Sequence, residues 1–154
     1  MNVVKRKGKA FERETAAVAG KYGKRIPMSG ALGTSFGSKD LAGDVEWKFP
    51  WDMGGGKEIH VECKHGYDRT KREDQKSMTI YREWFEKHLT QAKALDFVPM
   101  FAMKFKFTQQ DGLSKFILVP FPIMEKLIKD MENMYLEIEE LRSEQKRRVS
   151  KTTQ

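Results

Sequence analysis

With 154 residues, a formal net charge of +7, 39% hydrophobic and 33% charged residues, the chain fits one compact domain with a heavily solvated surface. The basic excess points to an anionic partner, with nucleic acid ahead of an acidic membrane surface. A single cysteine, Cys63, excludes an internal disulfide framework and a cysteine-rich zinc site, and no apolar run suits a signal core or a bilayer span; the expected setting is intracellular, in the cytoplasm, with no membrane partner.

Met1 to Lys9 is short and basic, with Lys5, Arg6, Lys7 and Lys9 close together. Ala10 to Tyr22 reads as a helix, since Phe11, Thr15 or Ala16, Val18 and Tyr22 fall near helical spacing; Gly20 interrupts it and Gly23 is a plausible stop. Ile26 to Gly43 holds four glycines and three serines and reads as a long polar loop, a kind of segment that is often functional. Asp44 to Phe49 alternates polar and apolar residues, as a strand does. Pro50 to Gly56 is expected to break it, and Glu58 to Lys64 to return as the second strand of a hairpin. On that return strand Ile59, Val61 and Cys63 share one face, and His60, Glu62 and Lys64 the other.

His65 to Lys76 is charged and reads as a loop or helix entry. Thr79 to Asp96 is a predicted helix with Trp84, Phe85, Leu89, Ala92 and Leu95 available to pack. Val98 to Phe107 is an apolar strand, Asp111-Gly112 a turn, and Phe116 to Pro120 another strand. From Pro122 onward Ile123, Leu127, Met131, Met134, Ile138 and Leu141 step by fours and threes, a heptad-like seam that either pairs with its copy or packs on the core. The basic end, Arg142 to Lys151, is a candidate for phosphate contact. The order helix, hairpin, helix, strand, strand, helix predicts an α/β fold with a central mixed sheet, divided into a domain over 1–122 and a C-terminal helix with a basic tail over 123–154.

Phosphodiester hydrolysis needs an activated water and charge to stabilise the phosphoryl oxygens and the leaving 3′ oxygen. Carboxylates that hold divalent cations answer these needs, and a nearby lysine orients the water or stabilises the transition state. Asp44 opens the first hairpin strand, and Glu62 and Lys64 share one face of the second. Neighbouring strands lie ~4.8 Å apart, so the hairpin brings Asp44 beside Glu62. Two such carboxylates repel each other unless a cation sits between them, and Mg²⁺ prefers this kind of hard oxygen site. The backbone carbonyl of Cys63 can face the same cation, while its thiol alternates to the apolar face and reads as a small core group. An Asp followed by Glu-x-Lys is also what an ordinary solvent-facing hairpin carries. His60 and His65 read more readily as surface residues than as ligands. Arg69, Lys71 and Arg72 either follow a DNA backbone or form a solvated face offset by Asp68, Glu73 and Asp74.

Arg6-Lys7-Gly8, Phe11-Glu12-Arg13-Glu14, Ser29-Gly30, Gly43-Asp44-Val45 and Val61-Glu62-Cys63-Lys64 occur in one order. This series resembles the archaeal-type Holliday-junction resolvases, a branch of the PD-(D/E)xK nucleases, over roughly residues 5 to 122. The helix and the strand Val98 to Phe105 look like the elements that follow that family's active site. The resemblance implies a restriction-endonuclease-like core and a homodimer that uses Mg²⁺, with Mn²⁺ able to substitute, to nick a four-way DNA junction symmetrically. It implies metal-binding roles for Glu12, Asp44 and Glu62, a catalytic role for Lys64, and a place for Ser29 near the scissile phosphate. Lys5, Arg6, Lys7, Lys9, Arg13, Arg25, Lys39, Arg69, Lys71 and Arg72 are the candidate DNA contacts. Met28 stands where that family has an arginine, and the glycine-rich loop is longer than usual, so Ser35 and Ser38 are further candidates for the loop serine. Such an activity suits recombination, or the debranching of phage DNA before packaging.

Overall fold

The computed structural model describes residues 3–27, 42–54, 56–66, 79–105 and 115–152. Helix α1 spans Val3–Val18 and starts well before the predicted Ala10. Lysine and arginine are good helix formers, so the basic segment extends the helix without adding an apolar period that would announce it. After Val18 a single 3₁₀ turn, Gly20–Tyr22, replaces the predicted last turn of helix, and β1 follows directly at Gly23–Arg25. This short strand has no alternation pattern to reveal it; it exists because it pairs antiparallel with β2, Gly23 opposite Trp47 and Arg25 opposite Val45.

Strands β2, Val45–Met53, and β3, Gly56–His65, form the expected antiparallel hairpin, with Val45 opposite Val61 and Trp47 opposite Ile59. Pro50 does not end β2. The register shifts between Lys48 and Met53 instead, as expected where a proline cannot donate to the ladder. Helix α2, Arg82–Leu95, carries the chain to β4, Val98–Lys104, which runs parallel to β3. A parallel neighbour requires such a crossover. Strand β5, Lys115–Leu118, returns antiparallel to β4, which makes a five-stranded mixed sheet in the order β1-β2-β3-β4-β5. This is the restriction-endonuclease-like α/β architecture with its added C-terminal helix.

The main core lies between α1 and the sheet, where Phe11 and Ala16 pack on Val45, Trp47, Ile59, Val61, Val98, Met100 and Ala102. The Trp47 indole N–H donates to the Thr15 carbonyl at 3.0 Å, which satisfies the one polar atom this ring brings into the core. Beneath α2 the sheet is covered differently: Phe85 meets Phe101 at 4.2 Å between centroids, and His88 lies 5.0 Å from the same ring.

Helix α3 runs over Phe121–Thr152, 32 residues and about 48 Å, longer than the seam suggested. Its first turns dock on the hairpin tip, where Ile123 and Leu127 pack against the core. Gly54 there has φ +65°, and a Cβ would sit 3.1 Å from Ile123 Cγ2 and 3.3 Å from Leu127 Cγ. Its N–H donates to Asp130 Oδ2 at 2.8 Å. From Met131 to Arg148 every residue is exposed.

Candidate active site

Asp44 stands where β1, β2 and β3 meet. Its N–H donates to Val61 O at 2.9 Å, and its own carbonyl accepts from Ile26 N–H at 2.9 Å. Its carboxylate Oδ2 accepts from the Cys63 N–H at 2.8 Å. Main-chain pairing thus continues one residue beyond Val45 and sets the Asp44 side chain beside the Glu62-Cys63-Lys64 triplet, as the hairpin predicted. Gly43 prepares this turn with φ +71°. A Cβ there would lie 3.3 Å from His60 Cβ and 3.4 Å from both His88 Cε1 and Val61 O. Any other residue would combine left-handed strain with crowding.

The two histidines that crowd Gly43 are a finding of the structure. His60 was expected on the surface, but it is fully buried and its ring stacks on Phe97 at 4.4 Å. Its Nδ1–H donates to Ala42 O at 2.6 Å, which ties β3 to the residues leading into Asp44. His88 Nε2–H donates to His60 O at 2.9 Å and ties α2 to β3. Burial is the largest cause that holds His88 below the ordinary histidine range, while its hydrogen bond to the His60 carbonyl acts the other way. On β3, alternation set His60 on the face of Glu62 and Lys64 and gave no sign of its burial. The one available clue was a histidine at a core-facing position of a predicted helix.

On β3, Glu62 and Lys64 form an ion pair through Oε1 and Nζ. The Lys64 side chain is only 14% exposed, and its ammonium lies 5.1 Å from the centre of the Trp84 ring, a cation–π arrangement. The cation is thereby fixed beside the carboxylates. Glu12, on α1, is paired through Oε2 with Arg25 Nε of β1. Arg25, proposed from sequence as a DNA contact, thus has an acidic partner within the fold.

Cys63 links these parts. Its thiol is pushed up, first by burial and then by the negative charges of Asp44, Glu12 and Glu62, while a hydrogen bond with Thr15 acts the other way. One side chain therefore feels all three predicted metal-binding carboxylates. Oxygen-rich, with a backbone carbonyl at the same strand position, the set fits a hard divalent cation. The carboxylates do not yet converge on one point. Among the described residues, the group of three whose ligand atoms lie within 4.8 Å of one another is Glu46, Glu58 and His60. Glu46 pairs with Lys24 at 3.2 Å and Glu58 pairs with Lys48, so lysines already offset the charge of that second group.

Lys7, Lys9 and Arg13 are exposed on α1. Lys5 and Arg6 belong to the helix by their backbone, and their side chains lie outside the described residues. Ser29, Ser35, Ser38, Lys39, Arg69, Lys71 and Arg72 also lie outside them. His65 packs its ring 6.0 Å from Phe11 and is held below its usual range, first by burial and then by the Lys104 charge. Among the described residues no helix is long and apolar enough to cross a membrane.

No curated protein and no solved structure matches the chain. Over residues 3–153 it matches the family described as phage putative PDDEXK endonuclease, and with that match spanning both the Asp44/Glu62/Lys64 sheet end and the long C-terminal helix, the chain belongs to that family of PD-(D/E)xK nucleases.

Proposed function

We propose that this protein is a divalent-cation-dependent endonuclease that resolves four-way DNA junctions as a homodimer, with one nick made by each copy. The observation that carries the nuclease part is the Cys63 N–H to Asp44 Oδ2 hydrogen bond, which sets Asp44 beside Glu62 and Lys64. Divalent-cation dependence is typical of the superfamily to which the chain belongs. The junction part is supported by the ordered motif series from Arg6 to Lys64 and by the net charge of +7.

Asp44 and Glu62 are the residues that would hold the cation, with Glu12 and the Cys63 carbonyl completing its surroundings; Mg²⁺ suits these oxygen ligands, with Mn²⁺ as substitute. When bound, the cation supplies positive charge against the negative charge that builds on the phosphoryl oxygens. Lys64 presents an ammonium restrained by Glu62 and by the Trp84 ring, so it orients the attacking water and stabilises the same oxygens without first having to find its position. Exposed Lys7, Lys9 and Arg13 bind the phosphate backbone, giving shape-led and charge-led recognition in place of base reading.

The test is cleavage of a synthetic four-way junction beside linear duplex, flap and single-stranded DNA, each with Mg²⁺ and with chelator. Paired, symmetric, Mg²⁺-dependent nicks in the junction are expected. Equal cutting of all four substrates would leave a nuclease but remove the resolvase.

A further inference from the structure

We propose that the outer half of α3 is a homodimerisation helix that pairs with a second copy of this chain as a parallel two-stranded coiled coil. The inference does not depend on the cleavage reaction. Its starting point is the position of the helix. Asp130, held by Gly54 N–H, marks where α3 leaves the domain, and Met131 to Arg148 continue about 26 Å into solvent. Along this stretch Met131, Met134, Ile138 and Leu141 repeat at alternating three- and four-residue spacing and are 42–66% exposed. Isolated exposed apolar residues are unremarkable, and Leu136 on the opposite side is one of these. A seam of four along a stretch exposed from Met131 to Arg148 is different, because most helical stability in proteins comes from packing of an apolar face against a partner.

Charge decides what the partner is. Between Asp130 and Glu144 the chain carries six carboxylates and one arginine, which disfavours DNA on this face. In heptad terms Met131 and Ile138 occupy a, and Met134 and Leu141 occupy d. The g positions are then Asp130, Glu137 and Glu144, and Arg142 is at e. In a parallel pair g faces the e position of the following heptad on the other helix, so Glu137 meets the partner's Arg142, and the same contact is repeated by symmetry. In an antiparallel pair g would face g, and acid would meet acid. Arg142 already binds Glu139 of its own helix at 3.0 Å, but a guanidinium has further N–H donors for a second carboxylate. Gln145 at the next a position and Arg148 at the next d end the apolar seam.

The test is sedimentation of the full chain with exposed α3 substitutions. The wild-type chain is expected at twice 17.9 kDa, and Ile138→Lys at the monomer mass. Glu137→Arg and Arg142→Glu, alone, should each weaken the dimer about tenfold, and the two together should restore it. Met134→Cys should form a self-disulfide on oxidation under conditions where the wild-type chain, with Cys63 alone, does not. A monomeric wild-type chain, a dimer indifferent to Ile138→Lys, or a charge swap that gives no rescue would each overturn the proposal. Cleavage assayed separately keeps the failure of this interface distinct from failure of the nuclease reading.

Discussion

The two faces of the central sheet use the same two strands for opposite purposes. Toward α1, β2 and β3 present Val45, Trp47, Ile59 and Val61, all buried among apolar neighbours. Toward α2 they present Glu46, His60, Glu62 and Lys64, and nearly every polar group there has a defined partner: Lys24, the Ala42 carbonyl, or each other. The first face contributes stability through area removed from water. The second is costlier to bury and retains its charges through pairing. One-residue alternation thus separates a structural surface from a chemical one in the same hairpin, and Asp44 joins the chemical side through a main-chain hydrogen bond.

This contrast can be broken from either side. The largest effect is expected at Lys64. Lys64→Ala should lower the cleavage rate by about 10²–10³-fold while junction binding is largely kept, since one local charge among many is lost. Cleavage at the wild-type rate would remove Lys64 from the reaction. On the opposite face Ile59→Ala removes a fully buried side chain and should cost about 2–5 kcal/mol in urea unfolding, with cleavage per folded molecule little changed. A loss below about 1 kcal/mol would mean that the α1 face is not the stabilising one.

A smaller effect sharpens the comparison through pH. His88 is depressed by burial from an ordinary value of 6.5. The unfolded chain therefore takes up this proton first as pH falls. Stability is full above 6.5 and declines below it, until the folded ring also titrates, with a limiting slope of about 1.4 kcal/mol per pH unit. His65, also lowered, acts in the same direction. Urea midpoints measured from neutral to mildly acidic pH should fall, and His88→Asn should flatten part of that fall. A wild-type midpoint that does not move with pH would mean that burial beneath α2 does not depress His88.

Much of this arrangement was legible in the chain itself. The alternation of Val45 to Phe49 and of Ile59 to Lys64 predicted a hairpin with Glu62 and Lys64 on one face, and Gly43-Asp44 predicted the acid at its start. These are local patterns of period two, which the backbone imposes on any strand. Other parts were hidden because they depend on contacts between distant segments. Strand β1 has three residues and exists through its pairing with β2. Helix α1 starts early because residues without apolar spacing continue it. Arg25 reads as a surface cation until the fold sets it against Glu12.

By itself, then, the sequence determined the helical character of α1, α2 and α3, the hairpin strands that carry the acids and lysine, and the heptad seam of α3, since each rests on periodicity or on residue chemistry. Only the tertiary structure decided that α2 closes over the polar face, that His60 and His88 are buried around Gly43, and that α3 leaves the domain after Asp130. The physical reason is that burial and pairing are properties of surfaces brought together from distant parts of the chain. Glu62 and Lys64 could be ordinary solvent-facing residues as a pattern on one strand; the structure holds them beside Asp44 and beneath Trp84.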